Sequence, residues 1–256
     1  YVVDELDAIV RARGSAGGHG GVNDSVVTQF NTILDGFTKI PNLIFIGITN
    51  RLDLIDSSIL RPGRLDLHLK IPRPDRASAE KILKIYLDGV PLHQKYSDPM
   101  HAEYDASAYA ALEGKSERIV EYLITHTLDH IYGDGGVRTK RQEVAHIEFD
   151  ETGERQMLTM PDFVSGALLE NIVNEAKLAA GRLERAFGEF AGGIRLKSLH
   201  DQTDVLFRKL RDQINRSHSQ EWARMADLPV DRHFRVLSVM EVDKKMEKGS
   251  GFSGTV

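Results

Sequence analysis

Along the first seventy residues, short uninterrupted apolar runs alternate with stretches in which apolar residues recur every three or four positions. The run from Tyr1 to Asp4 predicts a strand leading into a helix that extends to Arg13. Val26, Val27, Phe30, Ile33 and Leu34, at helical spacing, predict a second helix within 22–34. "LIFIGI", Leu43 to Ile48, is continuously apolar, as suits a central parallel strand covered on both faces. "LDLHLKI", Leu65 to Ile71, alternates and predicts a further strand. Strands and helices in alternation imply an α/β fold with a parallel sheet.

The pattern then changes. Pro72 and Pro74 interrupt the chain, and Asp75 can cap a helix with Ala79, Ile82, Leu83, Tyr86 and Leu87 on one face. This places a domain boundary between residues 74 and 75. Ile119, Val120, Leu123, Ile124, Leu128 and Ile131 form one helical stripe, and Leu168, Leu169, Ile172, Val173, Ala176, Ala180 and Leu183 form another. Between them, "EVAHIEF" and "RQMLTM" flank the acidic turn "DETGE", which predicts a β-hairpin over 143–160 as an ornament on the helical domain. A last helix carrying Leu196, Leu199, Leu206 and Leu210 leads to the strand-like "HFRVLSVMEV". The helical domain is expected to span 75–245, and 246–256 to be a flexible Gly/Ser tail.

Composition narrows the chemistry. A chain of 256 residues with 41% apolar residues can bury one large core or two moderate ones. The net charge of -5 leaves no basic footprint for nucleic acid, and no run of eighteen apolar residues suggests a membrane span. Cysteine is absent, which removes disulfides and thiolate metal sites and fits the cytoplasm. The chain opens in mid-strand, so it is expected to be part of a longer protein.

Three stretches carry candidate chemistry. An apolar strand ending in Asp4-Glu5 is the Walker B arrangement, in which Asp4 holds Mg²⁺, directly or through its water, and Glu5 polarises an attacking water. Taken alone, the same residues also read as an acidic helix N-terminus. "GITNR", Gly47 to Arg51, sits at the carboxyl end of the next strand, where ligands of open α/β sheets gather, so Asn50 is expected beside those carboxylates. Alone, it equally starts a turn. In "ILRPGRLD", Pro62-Gly63 forces a turn that presents Arg61 and Arg64, groups suited either to phosphate or to solvent.

Other motifs fail on inspection. The glycine run "GSAGGHGG", Gly14 to Gly21, lacks a following Lys-Ser or Lys-Thr and follows a helix, so it reads as a mobile loop. His126 and His130 stand four apart on a helix, but no third ligand is placed to complete a metal site.

Taken together and in order, "VVDELDAI", "GITNR" and "SSILRPGRLD" resemble the AAA family of ring-forming ATPases. That resemblance makes Asp4 and Glu5 the Walker B pair, Asn50 sensor 1, and Arg61 and Arg64 the arginine fingers that reach a neighbouring subunit's nucleotide. It makes the glycine run the second pore loop. "SGALLENIVNEA" resembles the lid segment near the adenine, which nominates Gly166 and Ala167 as nucleotide contacts. The helix, hairpin, "FVSGALLENIVNEAK", "EWARM" and terminal strand are similar to bacterial proteasome-associated AAA ATPases, whose tail is Gly-Gln-Tyr-Leu where this chain ends "GSGFSGTV".

The implied fold is half of a P-loop-type α/β domain, without its Walker A half, followed by a helical lid with a hairpin insert. No G-x-x-x-x-G-K-[ST] occurs in the chain, so the fragment alone is expected to be inactive. The implied protein uses ATP and Mg²⁺, forms homohexamers, unfolds tagged proteins and feeds them to a proteasome core, with neither nucleic acid nor membrane as partner. Two rivals remain. "GVNDSVVTQFNTILDG" also resembles segregase and membrane-fusion AAA proteins, and a non-hydrolysing ring scaffold would keep the acids as relics.

Overall fold

The structure, a computed structural model, describes residues 1–12, 20–37, 40, 42–92, 116–134, 137, 139–187, 193–216, 226–228 and 233–240. The body of the glycine run, "EWARM" and the tail lie outside the described residues. The chain divides into two compact units, Tyr1–Ile71 and Pro72–Val256.

In the first unit, β1 (Val2–Val3) pairs in parallel with β2 (Ile46–Gly47), with Val2 opposite Ile46 and Val3 opposite Gly47. The chain leaves β1 through α1 (Leu6–Ile9), a helix that ends well short of Arg13. It is followed by α2 (Gly20–Phe37). Leu6, Val10, Val27, Leu34, Ile55 and Ile59 form the core, with Val3, Phe30, Phe45, Leu60 and Leu65 packed against it.

Two expectations are corrected here. Leu65–Ile71 forms no strand among the described residues, and Leu67, Leu69 and Ile71 are 77%, 77% and 87% exposed. Alternation supplies a face, but a strand also needs a ladder partner, and this segment has none among the described residues. Leu43–Ile48 is likewise not covered on both faces, since Ile44, Ile46 and Ile48 are all exposed.

The second unit contains α3 (Arg76–Leu87), α4 (Ser116–Tyr132), β3 (Glu143–Phe149), β4 (Arg155–Thr159), α5 (Gly166–Phe187), α6 (Leu196–Arg216) and β5 (Phe234–Val239). The Asp75 carboxylate caps α3 by accepting from the Ser78 N–H at 2.7 Å. Hydrogen bonding from the Ser78 side chain, and then from its N–H, holds the Asp75 carboxyl below its usual range. Ala79, Leu83 and Leu87 of α3 meet Ile119, Leu123, Leu128 and Ile131 of α4 and Leu169, Ile172, Val173 and Ala176 of α5 in one core. The buried face of α6 runs through Leu196, Leu199, Thr203, Phe207, Leu210 and Ile214, and so passes through Phe207 rather than the half-buried Leu206.

The hairpin is a structural part of this core. β3 is the middle strand of an antiparallel sheet ordered β4-β3-β5. Register shifts on each side of Ala145 break the two-residue period, and Val144, Ala145 and Ile147 are all fully buried. Glu148 accepts from Arg155 of β4 at 2.7 Å and from Arg235 of β5, which ties the three strands on one carboxylate. Both guanidinium groups hold that carboxyl below its ordinary range.

A polar cluster joins α4 to α6. The His130 ring donates to Asp204 at 2.6 Å, Arg141 donates to the other Asp204 oxygen at 2.9 Å, and the His200 ring stacks on His130 while donating to the His126 carbonyl at 3.1 Å. Among the described residues, no group of three or more His, Cys, Asp or Glu could hold a metal. Burial, aided by the neighbouring His130, pushes the His200 imidazole down to about 3.

The sign follows from proton counting. An unfolded histidine titrates near 6.5, so between that pH and about 3 the unfolded chain binds a proton that the folded chain does not. Stability from this group is full above pH 6.5 and falls as pH drops, by about 2 kcal/mol at pH 5. Urea titrations at pH 7 and pH 5 should show that loss, and His200→Gln should shrink the difference. Equal pH dependence in the two proteins would refute this assignment.

Candidate active site

The parallel ladder between β1 and β2 brings the first three site residues to one end of the sheet. The Ile46 N–H donates to the Tyr1 carbonyl at 2.8 Å, the Ile48 N–H to the Val3 carbonyl at 2.8 Å, and the Leu6 N–H to the Ile48 carbonyl at 2.9 Å. Asp4 and Glu5 follow β1 directly, and Ile48, Thr49 and Asn50 follow β2, at the same end of the pair. Gly47 permits this close pairing. A Cβ there would lie 2.6 Å from Leu6 Cδ2, inside van der Waals contact, and Leu6 is fully buried.

Glu5 turns the chain. Its backbone lies in the left-handed region at φ 52° and ψ 44°, and its N–H donates to Asp4 Oδ1 at 2.9 Å. Such a conformation costs a non-glycine residue on the order of 1–2 kcal/mol and clusters at functional sites. The turn lets a strand become a helix within two residues. Both carboxylates and the Asn50 side chain are exposed, and the Asn50 amide has no hydrogen-bond partner among the described residues.

The sheet end carries more than the motif pattern indicated. Thr49 Oγ1 donates to Asp7 Oδ1 at 2.6 Å and accepts the Arg51 N–H at 2.9 Å. Asp7 stands out in the sequence only as a third acid, and nothing local links it to a residue 42 positions away.

The arginine turn is rigid. Gly63 sits at φ 85°, its N–H donating to Asp66 at 3.1 Å, and the Leu65 N–H returns to the Ile59 carbonyl at 3.1 Å. Arg64 reaches back to α2, with Nε donating to Asp35 Oδ1 at 2.8 Å and Nη2 to Asp35 Oδ2 at 3.0 Å. Its Nη1 donates to Asn31 Oδ1 at 2.5 Å and to the Ser58 carbonyl at 2.7 Å. The Asp35 hydrogen bond raises the Arg64 pKa. Arg61, in contrast, is exposed and has no side-chain partner among the described residues.

Gly166 and Ala167 lie in the second unit, at the first turn of α5. Ser165 caps that turn through Oγ, which accepts the Leu168 N–H at 3.1 Å. A Cβ on Gly166 would meet nothing within 4 Å, so this backbone is open to an approaching group.

The donor set at the sheet end suits a hard divalent cation, because Asp4 and Glu5 offer exposed carboxylate oxygens. Paired acids, an amide and arginines are residue types suited to nucleotide hydrolysis. Residues 2–73 match the ATPase family associated with various cellular activities (AAA). Residues 74–254, well over half of the chain, match the ARC AAA+ ATPase lid domain. The chain belongs to the AAA ATPase family and carries the ARC-type lid.

Its curated relatives include proteins named Proteasome-associated ATPase. That of Nocardia farcinica is 35% identical over 224 residues, which is 87% of this chain and 35% of the relative. The Kineococcus radiotolerans protein is 32% identical over 246 residues, 96% of this chain and 39% of the relative. The Geodermatophilus obscurus protein is 36% identical over 224 residues, 87% of this chain and 34% of the relative. The chain therefore spans little more than a third of the length of these relatives. Among the described residues, no helix is long and apolar enough to cross a membrane.

Proposed function

We propose that this chain is the Walker B half and lid of a subunit that hydrolyses ATP to unfold proteins and pass them to a proteasome-like peptidase. The observation that carries this reading is the parallel pairing of β1 on β2, at whose carboxyl end Asp4 and Glu5 follow one strand and Thr49 and Asn50 follow the other. The names of the relatives support the proteasome-like partner.

In this reading ATP is the substrate and Asp4 holds Mg²⁺, whose charge would offset that of the phosphates. Glu5 accepts a hydrogen bond from the attacking water and draws off its proton, and Asn50 fixes the same water from the β2 side. Gly166 and Ala167 are the proposed contacts to the nucleotide's base. The protein works as a cytoplasmic homohexamer on protein substrates.

Arg61 acts at the neighbouring subunit's nucleotide, and Arg64 holds the turn that presents it. Their surroundings favour a division of labour. Arg64 has four N–H donors engaged by Asp35, Asn31 and Ser58, so it anchors the turn, whereas Arg61 is free to reach.

A mixing experiment on the full-length protein tests the shared site. Arg61→Ala and Glu5→Gln subunits should each be inactive alone. Mixed rings contain sites that combine the Glu5 of one variant with the Arg61 of the other, about a quarter of sites on random assembly. ATP turnover should reappear on mixing. Mixed rings no more active than either parent would refute an arginine supplied across the interface.

A further inference from the structure

The Thr49 hydroxyl bridges a side chain of α1 and the backbone that follows Asn50. It donates to Asp7 Oδ1 at 2.6 Å and accepts the Arg51 N–H at 2.9 Å. Asp7 lies in α1, two residues after Glu5. Thr49 and Arg51 bracket Asn50, and the carbonyl of Ile48 is held by the Leu6 N–H at 2.9 Å. Residues 48, 49 and 51 are therefore each tied down around Asn50, while the Asn50 side chain is left exposed at the sheet end.

Each tie limits a different freedom. The ladder sets how far β2 extends along β1. The Oγ1 to N–H bond closes a side-chain turn that fixes the backbone of Asn50. The Oγ1 to Asp7 bond links that turn to the helix whose first residues follow Glu5. Water attack needs two groups held in one geometry, and misplacement by about 1 Å can lower a rate by about a hundredfold.

We infer that Thr49, through the Asp7 carboxylate, is a positioning residue that sets the Asn50 amide relative to Glu5 for activation of the attacking water. This rests on the ATPase reading above. Neither Thr49 nor Asp7 touches substrate in this role. Their effect falls on the rate of the chemical step and leaves nucleotide binding unchanged.

The test uses the full-length protein and measures ATP turnover over a range of ATP concentrations. Thr49→Val keeps the size and β-branching of threonine but removes the hydroxyl. It should lower kcat about tenfold and leave KM for ATP within about twofold. Thr49→Ser, which keeps the hydroxyl, should return kcat to the normal level. Asp7→Ala should match Thr49→Val, and the double variant should be no slower than either single one, because both remove the same link.

The inference is overturned if Thr49→Val turns over at the normal rate while Glu5→Gln is inactive, if Thr49→Ser is as slow as Thr49→Val, or if the two single losses multiply. A rise in KM with unchanged kcat also overturns it, since that assigns the pair to nucleotide binding. Normal turnover by Glu5→Gln would instead sink the ATPase reading itself, so the two failures are distinguishable.

Discussion

Glu5→Gln in the full-length protein should lower ATP turnover at least about a hundredfold while nucleotide remains bound. The expectation follows from what the substitution keeps. Glutamine preserves the length and shape of the side chain and can still hydrogen-bond a water, but it has no carboxylate to take the proton. It also keeps the backbone problem unchanged, since Glu5 already occupies the left-handed region and glutamine has no special tolerance for it. Stability should therefore move little, and the effect should lie in chemistry. Phosphate release under saturating ATP measures the loss, and labelled ATP retained through gel filtration measures the trapped state. Turnover within twofold of normal would remove Glu5 from its proposed role.

The largest stability effect is expected at Phe207, the bulkiest of the fully buried side chains among the described residues, on the inward face of α6. Phe207→Ala deletes a ring from a core shared with α3, α4, α5 and the sheet. Phenylalanine-to-alanine changes in such cores cost about 3–5 kcal/mol, because lost transfer energy and an unfilled cavity add. Against a typical total of roughly 5–15 kcal/mol this is a large share, and it should lower the melting temperature by about 6–20 °C. Ile85→Ala is the control. Ile85 is 72% exposed on α3, and its truncation should stay within about 0.5 kcal/mol. A Phe207→Ala loss below about 1 kcal/mol in urea titration would show that the core collapses around the gap.

Local patterns were the legible part of this fold. The helices α2 to α5 stand where apolar residues recur at three and four positions, because each buries one face and the rule for that face is contained in the helix itself. Asp75 was readable for the same reason, since its capping partner is three residues away. The strands were harder. β5 pairs with β3 across roughly ninety residues of chain, and a strand's own residues do not name its partner. Leu65–Ile71 shows the converse, a strand-like alternation without a ladder.

The candidate site divides in the same way. Asp4-Glu5, Asn50 and the arginines were visible as motifs because their chemistry lies in adjacent residues. The bonds that organise them were not. Asp7 to Thr49, and Arg64 to Asp35 and Asn31, join positions 29 to 42 apart, and each depends on how the strands and α2 fold around them. The resemblance supplied roles for residues, and the structure added the hydrogen bonds that hold them. It also separates Arg61 from Arg64, which the motif presents as equals.

Gly47 gives this site an unusual sensitivity. It has no side chain and takes part in no proposed step, yet any larger residue there must displace Leu6, the immediate neighbour of Glu5. Gly47→Ala should therefore disturb the packing beside Glu5 while leaving every group of the proposed chemistry in place. Its importance would be entirely that of leaving room.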